Sequence, residues 1–170
     1  MLSFDIRSLE SQAAHVEGSL APDDPVWQDH DTRPSEPVRV DGRLSPAGPG
    51  RFYFTGRIHG VSHLPCRRCL EDVKVEVNED VHLIFSAHGE EEADDPDVYP
   101  FDPLAASLDL KPAVREAWVL AAPAFVQCRE DCKGLCATCG ADLNEGPCNC
   151  EAVTTDTRWD ALRAIRDQLP

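Results

Sequence analysis

Apolar and polar residues alternate along three stretches in the first half of the chain, "VRVDGRL" (38–44), "RFYFTGRIHGVSHL" (51–64) and "VKVEVNEDVHLIF" (73–85). A period of two is the pattern of a β-strand with one buried face. Turn residues, including "SPAGPG", separate the first two stretches. Strands joined by short turns run antiparallel, so the pattern predicts an antiparallel meander.

The residues before this meander have a mixed pattern. "LSFDI" near the N-terminus alternates like a short strand. "LAPDDPVWQDHDTRPSEP" (20–37) is rich in Pro and Asp, which predicts a loop. We expect Trp27 to anchor this loop on the core.

Two later stretches have the period of a helix. In residues 108–123, Asp109 can cap the start, Pro112 is tolerated in the first turn, and Pro123 ends the pattern. Its apolar face comprises Leu110, Val114, Ala117, Trp118 and Ala121. Residues 157–169 begin with an approximate capping box and carry an apolar stripe of Trp159, Leu162, Ile165 and Leu169. We expect both faces to pack on the core.

Composition and charge restrict the class of partner. The 170 residues carry a net charge of −15 with a pI near 4.6. Binding to nucleic acid through phosphate neutralisation needs clustered Lys and Arg, so this balance favours a basic protein partner instead. The like-charged run at 89–98 is expected to be a solvated loop, with an acidic docking strip as the alternative.

Hydropathy gives no sign of targeting or membrane insertion. The N-terminus has early acidic residues without a secretory apolar run, and no stretch approaches the roughly 18 apolar residues of a membrane span. We therefore expect a cytoplasmic protein. In a reducing compartment structural disulfides are disfavoured.

Eight cysteines are the most informative chemical feature. Their spacing includes two CxxC pairs, "CRRC" and "CATC", and eight thiolates complete two tetrahedral Cys₄ sites for structural Zn²⁺. The predicted metal ligands are Cys66, Cys69, Cys128, Cys132, Cys136, Cys139, Cys148 and Cys150. Disulfides and a thioredoxin-like use of "CATC" are the alternatives.

The partition of these ligands is predicted from proximity along the chain. Cys136, Cys139, Cys148 and Cys150 need only a short ribbon-like loop to form one site. Cys66 and Cys69 would then meet Cys128 and Cys132 across the fold. An interleaved pairing stays open at this point.

An enzymatic alternative also has to be weighed. "HVE" (15–17) and "PCRRC" (65–69) match the pieces of a zinc-deaminase signature. Neither piece opens a predicted helix, and the match would leave six cysteines unexplained. A closed Cys₄ site also lacks the open coordination position that zinc catalysis needs, so we expect no enzyme activity.

Several motifs occur together in the order of a known family. They are "LPCRRCLEDVKVEV", "LDLKPAVREAWVLAAP", "CREDCKGLCATCGADLN" followed by "CNC", and "DTRWDALRAI". This arrangement, which covers residues 37–169, resembles the YceD family, the large ribosomal RNA subunit accumulation proteins. The chain has Thr157 where a proline often follows the Asp in that family.

The resemblance implies a non-enzymatic bacterial factor that supports accumulation of large-subunit (23S) ribosomal RNA or ribosome assembly. Its expected partner is the large-subunit precursor, which it would bind through a ribosomal protein or through rRNA. Whether it contacts RNA directly stays open. Arg67, Arg68, Arg129 and Lys133 are the candidates for such contact, although they also balance the thiolates. The rival function is a zinc-stabilised adaptor for a basic protein outside ribosome biogenesis.

Together these patterns predict an α+β fold: an antiparallel β-meander with two helices and a C-terminal zinc-ribbon-like Cys cluster. We expect residues 1–36 to pack on the core. Residues 37–127 would hold the meander, acidic loop and first helix, and residues 128–170 the Cys-rich segment and last helix. These segments are expected to form one folded unit.

Overall fold

A computed structural model describes residues 1–88, 95, 97–150, 159, 162, 165 and 166. The helices whose bounds lie in these ranges are α1 (Ile6–Ser11) and α2 (Lys111–Ala121), and Leu162, Ile165 and Arg166 are also helical. The strands are β1 (Ser3–Asp5), β2 (Ala14–Leu20), β3 (Val38–Gly48), β4 (Arg51–Pro65), β5 (Asp72–Ala87), β6 (Val98–Phe101) and β7 (Ser107–Asp109). The predicted α+β class is confirmed.

The main sheet has the strand order β2-β3-β4-β5-β6, and β1 pairs with β7 in a separate two-stranded sheet. The predicted meander is β3-β4-β5, and β2 continues it antiparallel at one edge. At the other edge β6 pairs parallel with β5, so the sheet is mixed rather than purely antiparallel. The β4–β5 hairpin is long and regular, because its register runs unbroken from Arg51↔Ser86 to Pro65↔Asp72.

One face of the sheet carries the core, as the alternation predicts. Alternate side chains of β3, β4 and β5 are buried, including Val38, Val40, Leu44, Phe52, Phe54, Ile58, Val77, Val81 and Leu83. Helix α2 belongs to the same core through Val114 and Trp118, which are fully buried. Burying an aliphatic side chain contributes about 2 kcal/mol, so this face is the main source of stability.

The N-terminal residues form more regular structure than the sequence predicts. "LSFDI" contains β1, as expected, but its last residue begins α1, whose N-terminus Asp5 caps by accepting a 2.8 Å hydrogen bond from the Ser8 amide. Residues 14–20 form β2, which we had not predicted. Val16 and Leu20 are buried there at even spacing, a short signal that the glycine between them weakens.

The loop between β2 and β3 is tied down at several points. Trp27 is buried, as expected, and its indole N–H donates to the Ala21 carbonyl at 2.7 Å. The Trp118 indole donates to the Thr32 carbonyl at 2.8 Å. Asp31 accepts from the Arg115 guanidinium, with Nε at 2.7 Å. Helix α2 therefore holds this loop against the core.

The first predicted helix is shorter than the pattern suggests. Helix α2 begins at Lys111, because residues 107–109 pair with β1 as a strand. The N-cap is Leu110 and has no side-chain cap, so the capping role predicted for Asp109 is wrong, although Asp109 accepts a 3.0 Å hydrogen bond from the Lys111 amide. The second predicted helix, 157–169, lies outside the described residues except for four positions. Of these, Trp159, Leu162 and Ile165 are more than half exposed, which contradicts the core packing we expected for them.

Candidate metal centres

The turn of the β4–β5 hairpin is built around "CRRC". The Cys66 amide donates to the Glu71 carbonyl at 2.7 Å, and the Leu70 amide donates to the Cys66 carbonyl at 2.9 Å. Leu70 has a φ of 64°, a left-handed conformation that few residues other than glycine adopt. The turn thus folds back so that both cysteines lie on its inner side.

A second turn around "CATC" repeats this geometry. The Cys136 amide donates to the Ala141 carbonyl at 2.8 Å, and the Gly140 amide donates to the Cys136 carbonyl at 2.9 Å. Gly140, the counterpart of Leu70, has a φ of 74°. In each turn the amide two residues after the first cysteine contacts its sulfur, Thr138 at 3.4 Å and Arg68 at 3.5 Å. The two segments are therefore two copies of one knuckle.

The chain after α2 returns to the first knuckle and completes a group of four thiols. The Arg67 amide donates to the Val126 carbonyl at 2.8 Å, which places the following residues beside the hairpin turn. The proximal cluster comprises Cys66, Cys69, Cys128 and Cys132, whose sulfur atoms all lie within 4.8 Å of one another. Three of the four are buried, and Cys128 is half-buried.

The second knuckle belongs to a group that is local in sequence. The distal cluster comprises Cys136, Cys139, Cys148 and Cys150, with all sulfur atoms again within 4.8 Å. Cys139 is exposed and the other three are half-buried. The eight cysteines thus gather in the two groups that their order along the chain favours, rather than in an interleaved arrangement.

The sulfur separations fit a tetrahedral metal better than a disulfide. The Cys69 and Cys128 sulfurs are 3.6 Å apart, and those of Cys66 and Cys132 are 3.9 Å apart. A disulfide needs about 2.05 Å. Four sulfurs at about 2.3 Å from a tetrahedral Zn²⁺ lie about 3.8 Å from one another. Each cluster could therefore hold a metal ion.

Backbone hydrogen bonds favour the thiolate form of the first cysteine in each knuckle. Hydrogen bonds from backbone amides, first that of Cys69 and then those of Arg68 and Cys128, lower the pKa of Cys66 to about 6. The amides of Cys139 and Thr138 likewise lower the pKa of Cys136 to about 6.

Other thiols in both clusters resist ionisation. Burial, followed by contact with neighbouring thiols, raises the pKa of Cys128, and the contact with Cys139 followed by burial raises that of Cys150 to about 12. Cys66 and Cys136 therefore form thiolates more readily than Cys128 and Cys150 do.

Backbone and side-chain contacts join the two clusters. The Leu135 amide donates to the Arg68 carbonyl at 3.0 Å, and Gly134 packs so closely there that a Cβ would lie 2.9 Å from the same oxygen. Asn144, in the distal loop, accepts from the Lys133 amide at 2.7 Å and donates to the Cys132 sulfur at 3.6 Å. Sequence reasoning missed Asn144, because nothing in its spacing indicates a contact with the other cluster.

The deaminase arrangement is not assembled. His15 lies in β2, where it faces Asp41 with 3.8 Å between the side-chain nitrogen and oxygen. Through the strand register it aligns with Arg43 and then Thr55, whereas Cys66 follows the far end of β4. At about 3.3 Å per strand residue, this separates His15 from Cys66 by on the order of 30 Å.

Charged side chains around the proximal cluster have mixed signs. Arg67 and Arg68 are exposed, and Arg67 donates to the Gln127 side chain at 3.2 Å. Arg129 lies 3.6 Å from the Asp131 carboxylate. The Asp131 carboxylate thus lies among the cationic side chains that are candidates for RNA contact.

Comparisons with known proteins agree with this arrangement. The family model described as "Large ribosomal RNA subunit accumulation protein YceD" matches residues 54–166. The chain is 30% identical over 69 residues to "Large ribosomal RNA subunit accumulation protein YCED homolog 1, chloroplastic" of Arabidopsis thaliana. That alignment covers 41% of this chain but only 22% of the plant protein, so the chain spans about a fifth of that relative's length.

No solved structure matches the chain. Among the described residues, none of the helices has the length and apolar character needed to cross a membrane. The family match extends from near the start of β4 to beyond both cysteine clusters, which is more than half of the sequence. The chain belongs to the YceD family of large ribosomal RNA subunit accumulation proteins.

Proposed function

We propose that this chain is a non-enzymatic, cytoplasmic bacterial factor that supports accumulation of large-subunit (23S) ribosomal RNA during ribosome assembly. The family match carries this proposal, because it includes the knuckle hairpin, α2 and both cysteine clusters. The plant relative's name refers to the same RNA. The cysteine clusters would stabilise the fold that presents the binding surfaces.

The proposal includes two structural zinc ions, one per cluster, held by all eight cysteines. Thiolates favour Zn²⁺, and four of them close its tetrahedral shell, so no position stays open for a substrate or a catalytic water. Elemental analysis of natively purified protein should give about two zinc ions per chain. A metal-free protein with four disulfides would contradict this part of the proposal.

The surface chemistry favours a basic protein as the direct partner. A groove of about 590 Å³ between α2 and β5 is lined by the carboxylates of Glu79, Asp97 and Glu116, with Leu120 at its edge. Burial and the nearby Glu116 raise the pKa of Tyr99 in this groove to about 12. The negative potential there suits a Lys- and Arg-rich ribosomal protein better than RNA.

The test is a deletion strain of the native organism, analysed for 23S rRNA content and ribosomal particles. We expect reduced large-subunit rRNA, and we expect the tagged protein to sediment with large-subunit precursors. Normal rRNA in the deletion strain, with the protein absent from all precursor fractions, would end the assembly proposal. That result would favour the adaptor function outside ribosome biogenesis.

A further inference from the structure

We propose that the two clusters bind their metal ions cooperatively and that Asn144 is the positioning residue that couples them. The inference rests on the proposed binding of a metal by each cluster. It is carried by one side chain that belongs to the distal loop and contacts a ligand of the proximal cluster.

The contacts of Asn144 fix its orientation at the proximal cluster. Its Oδ1 accepts a 2.7 Å hydrogen bond from the amide of Lys133, the residue after Cys132. Its Nδ2 donates to the Cys132 sulfur at 3.6 Å and to the Asp142 carboxylate at 2.7 Å. The amide cannot be turned over without losing the Lys133 bond, so the N–H stays directed at the sulfur.

The sulfur that receives this bond has no access to water. Cys132 is fully buried, so no water can replace this hydrogen bond at its sulfur. An N–H donor to a ligand sulfur orients that sulfur and strengthens its binding to a metal. In the same cluster the backbone amides of Arg68 and Cys128 serve the Cys66 sulfur in this way. For Cys132 the donor is the side chain of Asn144.

The position of Asn144 depends on the distal cluster. It lies in the loop between Cys139 and Cys148, outside any helix or strand. A Cβ added at Gly146, two residues after Asn144, would meet nothing within 4 Å, so no neighbouring atoms pack against the loop at that point. A metal bound by the distal cysteines would fix both ends of the loop and so hold Asn144 against Cys132.

Coupling of this kind is reciprocal. If a distal metal strengthens proximal binding by a given factor, a proximal metal strengthens distal binding by the same factor. Outer-shell partners of metal ligands typically change metal affinity by about 10–100-fold, so we expect a coupling of about tenfold.

The experiment measures the affinity of the proximal cluster with the distal cluster intact or broken. The full-length protein is exchanged with cadmium, and chelator competition is followed by cadmium NMR, which gives one resonance per Cys₄ site. The distal cluster is broken by Cys148→Ser with Cys150→Ser, which leaves both knuckle turns intact. The loss of one resonance in this variant identifies the distal site.

We expect Asn144→Ala to weaken proximal binding by about tenfold when the distal cluster is intact. Breaking the distal cluster should weaken it by a similar factor. Adding Asn144→Ala to the broken variant should then change the affinity by less than about twofold, because the coupling is already lost. Far-UV circular dichroism checks that each variant keeps its sheet.

Asn149→Ala is the matched control. It removes the same side chain from a position between two distal ligands, and among the described residues Asn149 makes no side-chain hydrogen bond to the proximal cluster. We expect proximal affinity to stay unchanged. An unchanged affinity in Asn144→Ala, or an equally large effect of Asn144→Ala in both backgrounds, would overturn the coupling. Wild-type protein that binds no metal would instead refute the zinc part of the proposed function.

Discussion

The two knuckles differ at the backbone position that follows their second cysteine. Gly140 adopts its left-handed conformation without cost, whereas Leu70 does so with a side chain that is 64% exposed. A left-handed L-residue costs about 1–2 kcal/mol, and little burial of the leucine offsets this. The hairpin knuckle is therefore strained at a surface position.

This strain predicts that Leu70→Gly is more stable than Leu70→Ala by about 1 kcal/mol in denaturant unfolding at fixed zinc. Both variants lose the exposed leucine, so their difference isolates the backbone term. At Gly140 the substitution Gly140→Ala should cost about the same amount. An alanine variant at position 70 that equals the glycine variant would show that the knuckle is not strained there.

At the scale of elements, the fold depends on how α2 and the β2–β3 loop sit on the sheet. Trp118 of α2 lies directly over Gly60 of β4, where a Cβ would approach a ring carbon of the indole to 2.8 Å. The side chain of Asp31 in the loop is 1% exposed and binds Arg115 of the same helix. Helix α2 therefore packs on a position of the sheet that has no side chain, and it forms an ion pair with a buried carboxylate.

Gly60→Ala should destabilise the protein by about 2 kcal/mol, because the methyl group displaces the tryptophan from a filled core. Thermal and urea unfolding measure this loss. Trp118→Phe removes the part of the ring that would clash with the new methyl group. The double variant Gly60→Ala, Trp118→Phe should therefore lose less stability than the sum of the losses in the two single variants. Gly146→Ala, which has free space around it, should change stability by less than about 0.5 kcal/mol.

Because of the Asp31–Arg115 ion pair, we expect the free energy of unfolding to fall at acid pH. The Arg115 hydrogen bonds lower the pKa of Asp31 to about 2. Since an unfolded Asp titrates near 4, the stabilising contribution is complete above about pH 4 and is lost as the pH falls towards 2.

Asp31→Asn should therefore cost about 2 kcal/mol at neutral pH and flatten the decline of stability between about pH 4 and 2. Urea unfolding at a series of pH values measures both effects. Asp29→Asn is the control, because that carboxylate is fully exposed and lies 4.0 Å from its Arg33 partner. An unaltered acid limb in Asp31→Asn would contradict the assignment.

At the scale of the whole molecule, the apolar core and the proximal cysteine cluster are two separate groups of buried residues. The core contains residues of both helices and the main sheet, whereas the proximal cluster packs with Val73 and Leu135 at the far end of the β4–β5 hairpin. A structural zinc site contributes on the order of 10 kcal/mol to folding of its segment. The segment that follows α2 has little else to order it.

Metal removal should consequently unfold one part of the molecule and spare the other. After treatment with a chelator and a reductant, hydrogen exchange should become fast in residues 126–150 and stay slow in β3 and in the parts of β4 and β5 that carry the apolar core. Mass spectrometry of the exchanged peptides measures this difference. Simultaneous loss of protection in the sheet would show that the clusters stabilise the whole fold.

Features that depend on local geometry could be predicted from the amino-acid sequence. Alternation from Val38 to Phe85 specified the meander because a strand places neighbouring residues on opposite faces. The CxxC spacing specified the knuckles, and the order of the cysteines favoured the observed grouping. The alternation around β2 was too short to be recognised as a strand. The left-handed conformation of Leu70 was not predicted, because it is atypical of leucine.

Contacts between side chains that are far apart in the sequence depend on the packing of the elements, although the order of the cysteines already favoured the pairing of Cys66 with Cys132. Cys66 contacts Cys132 because the chain after α2 returns to the hairpin turn. Asp31 binds Arg115 because the β2–β3 loop packs against α2. Asn144 acquires its contact with Cys132 only when the second knuckle docks on the first. Periodicity describes the face of one element, whereas these contacts arise from the packing of one element on another.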